Sequence, residues 1–403
     1  MDPGLELYHQ LMVLCGEPDS PFFYKDFLYE GVNYRIFNYR LASYSDFCKP
    51  GALWARGIMY ELSDPGNSSG AIPELACRPM PKFFNWGENP FTMNIDPAEV
   101  HQFMDKRDGS LISTFAHYPA EDSPRLRVKS KGSLTSDQAQ MALDFLRRPE
   151  NEDLTEALYY DTMDGYTVNM ELTSPYNRIV LPYKETELRI LNVVNNDTGE
   201  VFYNDGQDGF LRAAMEVGDP KLARYWVDYM DIMADSKRRF LESIDDMTDI
   251  EGYVIRLRSS APGRQLVKKK TKWYLNLHAN KESITIPRRL FNCIITETVD
   301  DLRSLFSNDE AALKIISDME AVVLPKFNHI CITVDSFYEA NKSLSRKDFA
   351  IKGLAEMGDL FHLAMNKYLV GLGKNKPVDM KEWAMKNYEM FGINQTEAGE
   401  SEE

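Results

Sequence analysis

The 403-residue chain is expected to fold as α+β, with strands and a few helices through residue 282 and an all-helical part over 283–403. Two hydrophobic periods predict this. From Tyr166 to Leu172 apolar and polar residues alternate, so Val168, Met170 and Leu172 face one way while Thr167, Asn169 and Glu171 face the other, as on a pleated strand. Between Asp348 and Leu372 the residues Leu354, Met357, Phe361, Ala364 and Tyr368 recur every three or four positions, the spacing of one amphipathic helix. At about 150 residues per domain, the length itself predicts two or three domains.

Along the chain, Asp64 to Gly70 is rich in turn residues and reads as a loop. Arg125 to Lys131 alternates like a strand and gathers Arg125, Arg127, Lys129 and Lys131 on one side as a basic stripe. Leu266 to Tyr274 reads as a further strand with Lys268, Lys270 and Lys272 on one face and Lys269 on the other. Asp309 to Leu324 predicts a helix that stops before Pro325. Glu397 to Glu403 is an acidic tail.

Composition removes several function classes. With 46 basic and 62 acidic residues the net charge is −16, which excludes a general basic nucleic-acid coat, so any polyanion must meet local positive clusters. No apolar run approaches the roughly 20 residues that span a bilayer, and the start Met1-Asp2-Pro3-Gly4 lacks a basic signal region; a cytoplasmic location is expected, with no membrane partner. Cys15, Cys48, Cys77, Cys293 and Cys331 form no C-x-x-C pair, and no two of the six histidines stand three or four apart, so neither a disulfide framework nor a zinc site is indicated. Neither a P-loop nor a strand-borne G-x-G-x-x-G occurs.

The residues that can carry phosphate chemistry stand in a fixed order. Lys106-Arg107-Asp108-Gly109-Ser110 precedes the strand-like Leu111 to Phe115; a lysine held in line can attack phosphorus, and glycine admits close backbone approach. Alone this pattern is also an ordinary Asp-Gly turn. Glu171 projects from its strand, Glu251-Gly252-Tyr253-Val254-Ile255 opens another strand with a carboxylate, and Lys268 with Lys270 can clamp a phosphate whose charge grows in the transition state.

This order, together with Arg35 to Tyr39, Ala42 to Asp46, Arg56 to Glu61, Arg78 to Asn85, Asn89 to Asp96, Lys129 to Ser133 and Asn177 to Leu181, resembles the covalent nucleotidyltransferase superfamily, and within it the phage-type ATP-dependent RNA ligase 1 family that repairs cleaved tRNA. The resemblance covers nearly the whole chain. It implies an ATP-grasp-like ligase domain of antiparallel sheets with flanking helices over 1–282, and an all-helical, tRNA-recognising domain with an acidic tail over 283–403. It implies that Lys106 takes AMP from ATP, that Asp108 and Glu251 assist the chemistry, and that Tyr39, Arg56, Lys82, Gly109, Lys131, Glu171, Lys268, Lys270 and Tyr274 bind the nucleotide and its phosphates. Magnesium is implied, with Glu171, Glu251, Asp300 and Asp301 as carboxylate sources; Asp300-Asp301 has a commoner meaning as a helix N-terminal pair. The implied reaction joins RNA 5′-phosphate and 3′-hydroxyl ends, most directly on nicked tRNA, in the cytoplasm of a phage-infected bacterium. An end-healing polynucleotide kinase/phosphatase would act upstream. Ser110-Leu111 stands where DNA ligases more often have an arginine, which favours RNA. The other readings are a GTP-dependent mRNA guanylyltransferase and a non-catalytic RNA-end-binding relative. With so acidic a chain, RNA is expected to follow a confined groove of Arg125, Arg127, Lys129, Lys131 and the lysine strand.

Overall fold

The computed structural model describes residues 3–62, 72–119, 123–177, 181–204, 224–259, 261–278, 284, 286–306 and 309–393. The expected loop 64–70, residues 178–180 and the tail 397–403 lie outside these. The chain divides into two compact units: Met1–Glu17 with Phe22–His278, and Pro18–Pro21 with Ala279–Glu403.

The first unit carries, in chain order, β1 (Phe22–Tyr29), β2 (Val32–Tyr39), β3 (Met59–Leu62), β4 (Glu74–Cys77), β5 (Phe84–Asn85), β6 (Val100–Asp105), β7 (Ser110–His117), β8 (Arg125–Ser130), β9 (Tyr166–Thr173), β10 (Glu187–Asn195), β11 (Val201–Phe202), β12 (Tyr229–Met230), β13 (Gly252–Leu257) and β14 (Leu266–Lys270). They form three sheets, ordered β1-β2-β3-β4, β11-β10-β9-β7-β8 and β12-β6-β13-β14-β5. Named pairs are antiparallel except β14 with β5.

The alternation of β9 is realised on both faces. Val168, Met170 and Leu172 join a core with Leu154, Ala157 and Leu158 from the helix Glu152–Met163 and Ala142 and Phe145 from the helix Asp137–Leu146. Burying each such side chain contributes about 1.5–3 kcal/mol. The opposite face is also buried, and its polar groups satisfy one another: Ser113 Oγ donates to Asn169 Oδ1 at 2.6 Å, and Asn169 Nδ2 donates to Asn192 Oδ1 at 2.9 Å.

Three sequence expectations need correction. The lysine strand stops at Lys270; Thr271 ends it, its hydroxyl accepting from Tyr274 N–H at 3.0 Å, and Lys272–His278 is helical. The helix expected to stop before Pro325 runs from Glu310 to Asn341. Pro325 and Ala321, whose carbonyl loses its donor, are both on the exposed side, where water replaces the missing bond, while Val323, Phe327, Ile330 and Val334 remain buried. The single helix expected over 348–372 is two, Arg346–Glu356 and Phe361–Gly371, separated at Gly358, whose φ of +49° is left-handed; Leu354 is exposed.

Candidate active site

Lys106 to Gly109 is the crossover between two sheets, leaving β6 of one and entering β7 of the other. Backbone pairing fixes where its side chains go. Asp105 pairs with Tyr253, Lys106 N–H donates to Gly252 O at 3.0 Å, and Gly252 pairs with Lys270, so the ends of β6, β13 and β14 put Lys106, Glu251 and Lys270 side by side. Glu251 is 3% exposed, and its Oε1 lies 2.9 Å from Lys106 Nζ and 3.1 Å from Lys270 Nζ. Its Oε2 is buried without a hydrogen-bond partner. Gly109 has a plain steric reason: a Cβ there would lie 2.2 Å from Leu172 O on β9.

Asp108 is buried and fully engaged on both oxygens: Oδ1 accepts from Tyr274 O–H at 2.8 Å and Oδ2 from Leu181 N–H at 2.7 Å. Its own N–H donates to Tyr183 Oη at 2.9 Å. Asp108 and Tyr274 therefore hold the crossover in place, and Tyr274 does so from a helix, not from the expected strand.

A cavity of about 450 Å³ opens beside this crossover, lined among others by Lys106, Gly109, Arg56, Lys131 and Glu171. Val254 and Leu266 line it too; Lys268 pairs with Val254 and shares a face with Leu266, which directs Lys268 to the cavity side of β14. Burial pushes the Glu171 carboxyl up to about 7, Lys106 opposing and Glu251 reinforcing the shift. Arg56 brings a buried Nη1 with no hydrogen-bond partner, an anion-seeking N–H. Lys131 Nζ sits 4.5 Å and Lys82 Nζ 5.7 Å from the Tyr39 ring centroid, and Lys82 is also 5.2 Å from that of Phe84. Tyr39 and Lys82 thus adjoin Lys131 without lining the cavity themselves.

Arg125 and Arg127 are matched by Glu30, at 3.6 and 3.0 Å, and Lys129 is fully buried, its Nζ donating to Ser130 O at 3.0 Å; of that stripe only Lys131 reaches the cavity. Lys269 and Lys272 both pair with Asp245 outside the clamp. Asp300 and Asp301 fall in the second unit, in the first turn of the helix Val299–Leu305. Among the described residues no three histidine, cysteine, aspartate or glutamate side chains cluster as a ready metal cage. Sequence reasoning passed over Arg107, Tyr183 and Asn192: Arg107 and Asn192 line the cavity and Tyr183 anchors Asp108, but none carries a local signal beyond its neighbours' motifs.

Comparison with known proteins gives a consistent result. The sequence profile of the RNA ligase family matches residues 54–282, and that of the T4 RNA ligase 1 C-terminal domain matches residues 281–395. A candidate RNA ligase of Thermovibrio ammonificans is 27% identical over 261 residues, 62% of this chain and 64% of that protein. A candidate bifunctional polynucleotide kinase/RNA ligase of Autographa californica nuclear polyhedrosis virus is 28% identical over 257 residues, 60% of this chain and 34% of that one. The match thus spans less than two thirds of either relative. Among solved structures, an archaeal ATP-dependent RNA ligase superposes with a TM-score of 0.45 at 11% identity over 96% of both chains. A Naegleria gruberi RNA ligase with pyrophosphate gives 0.35 at 12% identity over 55% of this chain and 65% of that one. The assignment rests on the sequence matches, since the first profile alone takes in more than half of the chain: it belongs to the T4-type RNA ligase 1 family.

Proposed function

We propose that the chain is an ATP-dependent RNA ligase that seals 5′-phosphate and 3′-hydroxyl ends through a lysyl-AMP on Lys106 and an RNA-adenylate. The observation that carries this reading is the lysine at the mouth of a cation-lined cavity with its Nζ 2.9 Å from a buried carboxylate. Lys106 attacks the α-phosphorus as a free amine, so its ammonium must lose a proton, and Glu251 is the acceptor in contact with it. The N–P bond forms, the bridging P–O bond to the β-phosphate breaks, and pyrophosphate leaves with the electron pair. Arg56, Lys131, Lys268 and Lys270 neutralise charge that grows on the phosphates, and Glu171, which lines the cavity, accepts from a ribose hydroxyl. An RNA 5′-phosphate then displaces Lys106, and a 3′-hydroxyl finally displaces AMP.

The donors suit magnesium: the unpartnered Oε2 of Glu251 is a hard oxygen ligand. Glu251 and Glu171 would hold it, and when bound it neutralises triphosphate charge. Nicked tRNA is the proposed substrate, read by the helical unit that matches the C-terminal domain profile, in a phage-infected bacterium. The viral relative named as a kinase/ligase supports a partner that heals the ends first.

The test is incubation with magnesium and α-labelled ATP or GTP, followed by denaturing electrophoresis, with Lys106→Ala in parallel. A labelled band from ATP alone, absent in the variant, is expected. Label from GTP would point to capping instead. No label from either nucleotide, after prebound AMP has been removed with pyrophosphate, would leave a non-catalytic RNA-end-binding relative.

A further inference from the structure

Lys106 borders two cavities. The second, of about 250 Å³, shares only Asp105, Lys106 and Arg107 with the first among the described residues, and is otherwise walled by elements that the nucleotide cavity does not use, including Tyr183, Asp249, Glu251 and Trp273. Its chemistry differs from that of its neighbour. Three carboxylates, Asp105, Asp249 and Glu251, line it against two cations: Lys106, 2.9 Å from Glu251, and Arg107, whose buried Nε has no hydrogen-bond partner, 3.4 Å from Asp105 and 3.2 Å from Glu187. A phosphate entering it would meet net negative charge. An uncharged ligand with O–H donors would meet carboxylate acceptors at Asp105 and Asp249.

The walls add a second requirement. Tyr183 and Trp273 are aromatic and only partly buried, and Tyr183 is fixed through its hydroxyl to Asp108 N–H, with the Arg107 guanidinium 5.8 Å from its ring centroid. Aromatic rings with a guanidinium beside them are the usual platform for a nucleobase. A planar base next to free hydroxyls, without charge at that end, describes the terminal nucleoside of an RNA 3′ end, and the excess of carboxylates disfavours a 5′-phosphorylated one.

We propose that this pocket seats the 3′-terminal nucleoside of the acceptor strand, its base against Trp273 and Tyr183 and its ribose hydroxyls toward Asp249. The assignment rests on the ligase reading above and adds the place from which the last nucleophile comes. In that step the 3′ oxygen bonds to the RNA 5′ phosphorus, the bridging P–O bond to AMP breaks, AMP keeps the electron pair, and the hydroxyl proton passes to water. The adenylate is held in one cavity and the attacking hydroxyl arrives from the other, with Lys106 between them.

The experiment separates sealing from activation. Full-length protein is given a pre-adenylylated 5′ donor strand and a 3′-hydroxyl acceptor strand without ATP, and lysine adenylylation from ATP is measured in parallel. Trp273→Ala is expected to raise the acceptor KM by about tenfold or more, and Asp249→Asn by a smaller factor, with donor KM and lysine adenylylation within twofold of the parent. Asparagine tolerates the left-handed φ of +62° at position 249, and Trp273→Phe should recover most of the acceptor affinity, so misfolding is controlled. A rise in donor KM instead would make the pocket a 5′-end site and overturn the proposal, as would unchanged constants for both strands. A parent protein that neither labels nor seals would overturn the ligase reading itself, a distinct outcome from labelling and sealing that ignore Trp273.

Discussion

Two short basic stretches, Arg125 to Lys131 and Lys268 to Lys272, look alike in sequence, each with cations on alternate positions, yet the fold uses them in opposite ways. In the first, Glu30 matches Arg125 and Arg127, and Lys129 is buried, so one residue of four, Lys131, lines the cavity. In the second, Lys270 meets the buried Glu251 and Lys268 shares its face, while Lys269 and Lys272 are drawn off to Asp245. Strand period assigns a face. Which cations serve the site is decided by acids far away in the chain, and these are visible only after folding.

The contrast is broken most forcefully at Lys270. Lys270→Ala removes one of the two cations on Glu251 Oε1 and, on the proposed reading, a phosphate contact, and lysine adenylylation should fall by roughly 100-fold or more, as when a preorganised charge-stabilising donor is lost. A fall below tenfold in single-turnover labelling would mean that β14 supplies structure only.

A smaller effect is expected from the acid that shares the cavity with Lys131. The folded-state pKa of Glu171 lies near 7, above its ordinary value of 4.5, so its contribution to stability is complete below about pH 4.5 and is lost as pH rises to about 7. Relative to Glu171→Gln, the parent should lose about 2 kcal/mol of unfolding free energy across that window, partial exposure to solvent trimming the full shift. Parallel denaturation curves for the two proteins at pH 5 and pH 8 would remove the premise that Glu171 is held neutral by burial.

How much of this was legible beforehand follows the same division. The periods of β8 and β9 were readable because alternation is local, and so was the order of Lys106, Glu171, Glu251 and Lys268, whose spacing belongs to the family resemblance. The end of the lysine strand was not, because Thr271 stops it with a side-chain cap that many threonines could make and few do. Pro325 misled because its cost depends on which side of the helix it occupies. Tyr183 was invisible because its value to the site is a single bond to Asp108 N–H across 75 residues.

Lys129 sharpens the comparison further. Burial depresses its pKa below the usual lysine value, so the folded chain binds that proton less tightly than the unfolded one, and the resulting penalty, full below the folded-state pKa, fades as pH rises toward about 10.5. Lys129→Met keeps the volume and removes the charge; stability at pH 7 should be unchanged or higher by about 1 kcal/mol. A loss above about 2 kcal/mol in urea unfolding would reveal a partner for the charge and contradict the picture of a cation left over from an alternating pattern.

The smallest effect is expected from Arg127→Ala with Arg125→Ala. Each removes a partly exposed pair with Glu30, so stability should change by about 0.5 kcal/mol. Because both already pair with Glu30, RNA affinity should change less than about twofold, with little change in its dependence on salt. If both variants instead weaken RNA uniformly and together lower the salt slope by about two, the two arginines meet phosphates in the complex. Glu30 would then be a placeholder that RNA displaces, and the first stretch would be as functional as the second, with a replaceable acid where the lysine strand has a fixed one.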